Sequence, residues 1–288
     1  IQKKEAVIKN LDTHILRMEQ AKRKEKSPTG VPVKALSILC CPNCGASFSM
    51  QDVEMDQRFL YKGALSCKCG YYAKISSGIL MTPNKNQNLQ DTPDLTRELY
   101  KDLPPDLISM FERSYNWMLE KMNQVNLHGK VIAETYINAW FFMHNHLQTL
   151  PTDSLYIVID KYPETLLMYK HLIEKQKPEL DILYIADSST NFPLKAHCID
   201  LHLDFFAANE HNFYHNTFLY ERMTPILKQQ ADIIGTYFYF SHAQKSMRSL
   251  LSQYPECSAN NFSLSYFKNS LAESDFILKD CESLDAVT

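Results

Sequence analysis

Residues 155–160 read Leu-Tyr-Ile-Val-Ile-Asp, an apolar run that ends in a carboxylate. A run of this length without polar alternation is typical of a strand buried on both faces. Segments of strand character and of helical character alternate on both sides of it. The other strand-type segments are 130–134, 181–187, 198–206 and 232–240, and the helical ones are 138–150, 163–177, 209–230 and 242–254. This alternation predicts an α/β fold with a parallel sheet covered by helices on both faces.

Composition and length limit the class of protein. The chain has 288 residues, 45 % of them hydrophobic and 22 % charged, with a formal net charge of −3. These fractions predict a folded protein, and no apolar run approaches the roughly 20 residues of a membrane helix, so we expect no membrane partner and a cytoplasmic location. The seven glycines are too few and too dispersed for a glycine-rich phosphate-binding loop in the body. Because the sequence starts at Ile1 in a charged segment, we expect a fragment of a longer chain.

Prolines, glycines and polar runs divide the chain into four predicted parts. Two prolines and a glycine at 28–32 end a first helix over 1–27, and a cysteine-containing segment follows over 37–83. A polar run opens a helical linker over 84–127, which is interrupted at Pro104 and Pro105. The α/β body occupies 128–288 and ends with a helix over 263–272 and a last strand over 275–282.

Apolar residues repeat every seven positions in the segment 1–27. Ile8 and Ile15 form one series and Leu11 and Met18 the other, which is the a/d seam of a coiled coil. An isolated helix of this length is marginal in water, so we expect a homodimer through this helix. The alternative is an amphipathic helix that packs on its own domain.

Two cysteine pairs, each followed by a glycine, lie 22 residues apart. The first reads Cys-Pro-Asn-Cys-Gly at 41–45 and the second Cys-Lys-Cys-Gly at 67–70. Four thiolates suit a closed tetrahedral Zn²⁺ site, and the segment is too small to build a core without one. We therefore predict a structural zinc ion; its expected ligands are Cys41, Cys44, Cys67 and Cys69. Two alternatives stay open: Cys40 in place of Cys41, and cysteines that are free or form a disulfide.

The residues after the cysteines carry a family resemblance. A Cys-Pro-x-Cys knuckle, a second cysteine pair and the exit Ile-Ser-Ser-Gly-Ile-Leu-Met-Thr-Pro at 75–83 resemble the zinc ribbon of the large-subunit ribosomal RNA guanine methyltransferases. In those enzymes a class I S-adenosylmethionine-dependent methyltransferase domain follows, which implies a Rossmann-like methyltransferase sheet for the body. The segment 1–27 is similar to the dimerisation helix of MerR-type transcriptional regulators.

The first strand and loop of class I methyltransferases read V-L-E-x-G-x-G-x-G-F-F, which aligns with residues 132–142. Glu134 matches the acidic position, but Tyr136, Asn138 and Trp140 stand where the family has glycines. Those glycines allow a tight turn and a close approach to the cofactor. The resemblance therefore implies that Tyr136 and Trp140 fill part of the cofactor volume and that S-adenosylmethionine binds weakly or not at all.

Two aspartates end predicted strands at places where the family contacts its cofactor. Asp160 matches the residue that binds the ribose hydroxyls, and Asp187 matches an adenine contact; the alternative is that each caps the following helix. His211 and His215 are four residues apart without a metalloprotease pattern, so we expect ordinary surface histidines.

Together the resemblances predict a transcriptional regulator fragment. The methyltransferase-like domain would be catalytically degenerate and would act as a ligand-sensing or interaction module for a small-molecule effector. DNA would bind through an upstream domain outside this sequence. The alternative is an active S-adenosylmethionine-dependent methyltransferase that acts on RNA or a small molecule.

Overall fold

Within the described residues, ten strands form one sheet. The computed structural model describes residues 29–86, 91–93, 95, 103–138, 140–240, 245–253 and 258–284. The predicted coiled-coil segment 1–27 lies outside these residues. The homodimer, the DNA-binding role and the effector role therefore stay predictions.

The strands fall into two groups along the chain. The first group consists of β1 (Val31–Pro32), β2 (Ser49–Met55), β3 (Phe59–Ser66), β4 (Tyr72–Ser76) and β5 (Ile79–Met81). The body supplies β6 (Val131–Thr135), β7 (Leu155–Asp160), β8 (Asp181–Ala186), β9 (Ile199–Phe205) and β10 (Leu227–Thr236).

The order across the sheet is β1-β3-β4-β5-β8-β7-β6-β9-β10, and β2 pairs with β3 beside this path. Neighbours from β5 to β10 run parallel, whereas those from β1 to β5 run antiparallel. Counted from β6, the strands of the body have the order 3-2-1-4-5 of a Rossmann-like sheet, which confirms the predicted fold class. The order reverses between β6 and β9, and in such sheets ligands bind at the carboxyl ends beside this reversal.

Six α-helices lie within the described residues. They are α1 (Pro105–Asn123), α2 (Pro163–Gln176), α3 (Ala207–Tyr214), α4 (Leu219–Met223), α5 (Lys245–Gln253) and α6 (Leu264–Glu273). Prolines occupy the first position of α1 and α2, where a missing backbone N–H costs nothing. None of the helices that the structure describes combines the length and apolar character needed to cross a membrane.

Strand β7 shows why the sheet has two cores. Ile157 and Ile159 belong to one apolar cluster, which also contains residues of α3, α4 and α6. Tyr156 and Val158 belong to the other cluster, which contains residues of α1 and α2. Alternate side chains of one strand are thus buried on opposite faces, so the strand must be apolar throughout.

The cysteine segment is hydrogen-bonded into the same sheet. β5 pairs with β8 through Ile79 and Tyr184 and through Met81 and Ala186. Asp181 at the start of β8 also forms ion pairs with Lys34 and Arg58, at 2.8 and 3.0 Å. Backbone pairing and charge therefore both connect residues 37–83 to the body.

Two predicted helices are shorter than the sequence indicates. The segment 138–150 contains a 3-10 helix over Met143–Thr149 instead of an α-helix. The segment 209–230 contains the end of α3, then α4, a 3-10 turn at Thr224–Ile226 and the beginning of β10. Pro225 lies in that turn and cannot continue a helix with a full set of hydrogen bonds.

Two predicted strands are also corrected. The strand expected over 232–240 is β10, which begins and ends earlier, at Leu227 and Thr236. The segment 275–282 forms no strand in the described residues. Side-chain ion pairs hold it instead, from Lys279 to Asp232 and from Lys121 to Asp280, both at 2.5 Å.

Candidate functional site at the carboxyl ends of the parallel strands

Glu134 anchors the loop that follows β6. Its side chain is buried, and its two carboxylate oxygens accept hydrogen bonds from the backbone N–H groups of Phe142 and Met143, at 2.6 and 2.9 Å. These N–H groups belong to the start of the 3-10 helix, which would otherwise leave them unsatisfied. Burial raises the pKa of Glu134 to about 8, and the two N–H groups oppose this rise. Glu134 thus fixes where the chain returns toward the sheet.

Tyr136 follows β6 directly and adopts a left-handed backbone conformation, with φ at 57°. Its backbone N–H donates to the carbonyl of Ile159 at 3.0 Å. Its hydroxyl lies 2.7 Å from Nδ1 of His211, and Nε2 of His211 lies 2.8 Å from the carbonyl of Thr217. A carbonyl only accepts, so Nε2 carries the proton, and the Tyr136 hydroxyl donates to Nδ1. This bond joins the carboxyl end of β6 to α3.

His211 corrects the expectation of a surface histidine. The side chain is completely buried, and burial lowers its pKa to about 3, so the ring is neutral. His215 stacks on it with ring centroids 4.4 Å apart. The sequence indicates the burial of His211 only weakly, because the surrounding helix is short and half of its residues are polar.

Asn138 and Trp140 occupy different environments. The backbone N–H of Asn138 donates to Asp160 at 2.8 Å, and Thr165 donates to the side-chain oxygen of Asn138 at 3.2 Å. Trp140 packs on Phe205, with ring centroids 5.7 Å apart, in the core that contains α1. Tyr136 packs against the other core, so the two aromatic side chains diverge to opposite faces of the sheet.

Asp160 and Asp187 lie at the carboxyl ends of β7 and β8 and are both buried. Each oxygen of Asp160 accepts one backbone N–H, from Asn138 at 2.8 Å and from Tyr162 at 2.9 Å. Burial raises the pKa of Asp160 to about 7, and it also raises the pKa of Asp187. Asp187 accepts hydrogen bonds from the Thr82 hydroxyl at 2.7 Å and from the backbone of Ser189 at 2.6 Å.

Two further carboxylates belong to this site and were not predicted. Asp204 is the last but one residue of β9, accepts from the first N–H groups of α3 and from the Tyr220 hydroxyl, and has its pKa raised by burial to about 6. Glu210 lies on α3; loss of water around its carboxyl, together with the charge of Asp160, raises its pKa to about 8. Asp204 lies inside the predicted strand 198–206, so the sequence did not mark it as a carboxylate at a strand end.

The carboxylates surround Tyr136. The negative charges of Glu210, Asp160, Asp187 and Asp204, added to burial, raise the pKa of Tyr136 well above its ordinary value. Lys161 is the cation that acts on Asp160 and Glu210, and its own ammonium group is paired with Asp91 at 2.9 Å. The end of the sheet therefore holds more carboxyl groups than cations that could pair with them.

The four predicted metal ligands lie together in the cysteine segment. The sulfur atoms of Cys41, Cys44, Cys67 and Cys69 are all within 4.8 Å of one another. Cys41 and Cys69 are 3.3 Å apart, and Cys44 and Cys67 are 3.4 Å apart. A tetrahedral Zn²⁺ with bonds of about 2.3 Å would place its sulfurs about 3.8 Å apart, whereas a disulfide requires about 2.0 Å. The cluster fits a zinc ion and contains Cys41 rather than Cys40.

Two glycines shape the turns that hold these sulfurs. Gly45 donates to the carbonyl of Cys41 at 2.8 Å, and Gly70 donates to the carbonyl of Cys67 at 3.0 Å. Both glycines have positive φ, 71° and 92°, a conformation that other residues adopt only with strain. The glycines therefore close the two knuckles on which the cysteines lie.

No protein-family description and no curated protein matches this chain. Solved structures with a similar fold include phosphoethanolamine N-methyltransferase 2 of Haemonchus contortus in complex with phosphomonomethylethanolamine and S-adenosylhomocysteine, at 12 % identity and a TM-score of 0.45 over 55 % of this chain and 36 % of that chain. Its S-adenosyl-L-methionine complex matches at 12 % identity and a TM-score of 0.45, over 56 % of this chain and 37 % of that one. An Aquifex aeolicus S-adenosylmethionine-dependent methyltransferase matches at 11 % identity and a TM-score of 0.40, over 59 % and 82 %. The chain thus spans little more than a third of the first two structures, and such identities concern the fold alone.

The expectation that S-adenosylmethionine binds weakly or not at all is contradicted at the level of the fold, since the solved structures of similar fold include complexes with this cofactor and with its product. The local geometry explains the error. Tyr136 adopts the positive φ for which the family uses glycine, so the turn is kept. Trp140 packs into the core beside α1 and not against Asp160. The loss of three glycines is therefore no evidence against the cofactor.

Proposed function

We propose that the body is an S-adenosylmethionine-dependent methyltransferase domain with its cofactor site at the carboxyl ends of β6, β7 and β8. The observation that carries the proposal is a group of carboxylates beside the point where the strand order reverses; Glu134, Asp160, Asp187 and Asp204 are buried, and Glu210 is half-buried. Open α/β sheets bind ligands at this place.

The charge of the site suits this cofactor. S-adenosylmethionine carries a sulfonium, an ammonium and a carboxylate group and is a cation overall, and the carboxylates of the site lack enough cations of their own. A bound cation favours the ionised form of a carboxylate and relieves the repulsion between Asp160 and Glu210. Electrostatics therefore favours a cationic ligand over a neutral or anionic one.

Asp160 also has the hydrogen-bonding capacity that a ribose requires. An ionised carboxylate accepts about four hydrogen bonds, and Asp160 accepts two short ones from the backbone of Asn138 and Tyr162, with the N–H of Ile137 as a weaker third donor. The unused lone pairs can accept from a vicinal diol, while Asn138 and Tyr162 hold the carboxylate in place. When bound, S-adenosylmethionine supplies an electrophilic methyl group; the chain's own residues bind and orient it.

Isothermal titration of the full chain with S-adenosylmethionine tests this proposal. We expect micromolar affinity, about −8 kcal/mol. Asp160→Asn keeps the size of the side chain and removes its charge. We expect the variant to bind S-adenosylmethionine about tenfold more weakly, because one charge-assisted hydrogen bond is lost. Asp153→Asn at the opposite end of β7 is the matched control and should bind as the wild type does. Absence of binding by the wild type, or equal binding by Asp160→Asn, would contradict the proposal.

We also propose that the cysteine cluster holds one structural zinc ion. Four thiolates satisfy a tetrahedral ion completely and leave no position for water or substrate. The support is the common position of the four sulfurs and the two glycine knuckles that fix them.

A further inference from the structure

A cavity of about 520 Å³ opens between the exposed face of β4 and the first turn of α2. The side chains that matter for its chemistry are Tyr72, Lys74 and Ser76 from β4, Lys85 from the segment after β5, and Pro163 and Glu164 from α2. Its volume lies in the range of about 300–1,000 Å³ that is typical of small-ligand sites. We call it the β4–α2 groove; Thr82 also lines it and donates to Asp187, so the groove lies beside the carboxylate cluster.

The pleat of β4 explains why these side chains face the groove. Ala73 and Ile75 are completely buried in the core below the strand. Tyr72, Lys74 and Ser76 alternate with them and therefore point to the opposite side. Tyr72 is 51 % exposed, so its ring is accessible from the groove.

The groove carries unpaired positive charge. Neither Lys74 nor Lys85 forms an ion pair with a carboxylate in the part of the chain that the structure describes. The amino-terminal end of α2, a helix of 14 residues, adds a partial positive charge at Pro163. Glu164 on the rim opposes these groups but leaves the balance positive.

We infer that the groove binds a nucleotide unit, with the base stacked on Tyr72 and the phosphate bound by Lys74 and Lys85. An exposed aromatic ring beside two free cations is the combination that single-stranded nucleic acids use, because every base has a π face and every unit has a phosphate. A simple anion such as phosphate would use the two lysines but would have no use for the Tyr72 ring. The unit comes either from a free nucleotide or from a strand, and the two sources share this chemistry.

Fluorescence anisotropy with a labelled, mixed-sequence single-stranded RNA octamer tests the inference. Tyr72→Ala should weaken binding about tenfold through the lost stacking, whereas Tyr72→Phe keeps the ring and should bind within about twofold of the wild type. Lys74→Ala and Lys85→Ala should each reduce the slope of log affinity against log salt by about 0.7. Lys175→Ala, near the far end of α2, is the control and should change neither quantity. Displacement of the octamer by millimolar AMP identifies a free nucleotide as sufficient, and retention identifies a strand.

Octamer binding that is undetectable, or that Tyr72→Ala leaves unchanged, excludes a nucleotide in the groove, even if the lysine variants weaken it. The same variants should keep wild-type affinity for S-adenosylmethionine, because none of them alters the carboxylate cluster. Failure of the groove and failure of the proposed cofactor site are thereby distinguished.

Discussion

Tyr136 occupies a backbone conformation that costs a non-glycine residue about 1–2 kcal/mol. Three interactions offset this cost. The backbone N–H bonds to Ile159, the hydroxyl bonds to His211, and the ring packs against the core on the α3 side of the sheet. The turn after β6 is therefore maintained by side-chain contacts and needs no glycine.

Tyr136→Phe tests the contribution of the hydroxyl. The ring and its packing remain, but Nδ1 of His211 becomes a buried acceptor without a donor, which costs about 1–3 kcal/mol. We expect the urea midpoint of unfolding to fall correspondingly, with the m-value unchanged. Tyr239→Phe removes a hydroxyl from an exposed ring and should leave the midpoint where it is. A loss below about 0.5 kcal/mol for Tyr136→Phe would show that the bond does not hold the turn.

At the scale of the element, the cysteine segment depends on its metal. Freshly purified protein should contain about one equivalent of zinc, bound by the four clustered thiolates. Cys67→Ser removes a ligand next to the β3–β4 pair, so we expect most of the zinc to be lost and the melting temperature to fall. Cys281→Ser changes an exposed cysteine outside the cluster and should keep the full equivalent. Metal content that is equal in the two variants would refute the site.

The elements also show what a sequence alone can predict. The apolar run 155–160 coincides with β7, because a strand buried on both faces must be apolar at every position. β10 lies at the edge of the sheet, and its first residues, Leu-Lys-Gln-Gln, are largely exposed, so no alternation marks its beginning. The segment 275–282 resembles a strand but is held by side-chain ion pairs with distant residues.

Some residues of the candidate site are predictable from the sequence and others are not, depending on how close their partners lie along the chain. Cys41 and Cys44 are close in sequence, and their glycine is adjacent, so local spacing suffices to find them. Asp160 and Asp187 follow from their position at strand ends. The bond between Tyr136 and His211 joins residues 75 positions apart, and only the packing of α3 against β6 brings them together.

At the scale of the whole molecule, charge is segregated. Carboxylates gather at the carboxyl ends of the parallel strands, while the two lysines of the β4–α2 groove lie on β4 and after β5. A cationic cofactor and an anionic ligand would thus be attracted to different places on one sheet. Because different residues form the two proposed sites, each can be tested with its own variants.

The buried carboxylates should make stability depend on pH, and Asp160 allows the dependence to be isolated. Its pKa is about 7 in the folded state and about 3.9 in an unfolded chain. Because the folded-state value is the higher one, the folded protein binds the extra proton between these values, and stability is lost as pH rises through this window. Glu210, Lys161, Asp91 and Tyr136 surround the group, so the titration belongs to Asp160 and Glu210 together.

Asp160→Asn cannot ionise at this position, whereas its thiols and histidines are those of the wild type. The difference in free energy of unfolding, variant minus wild type, should therefore rise by about 2 kcal/mol between pH 5 and pH 8. The variant also loses free energy of unfolding by the same amount at every pH, because the amide nitrogen of Asn cannot accept the backbone N–H that a carboxylate oxygen accepts. Urea titrations at several pH values measure this difference. If it is constant, Asp160 is ionised throughout, and its two backbone donors outweigh its burial.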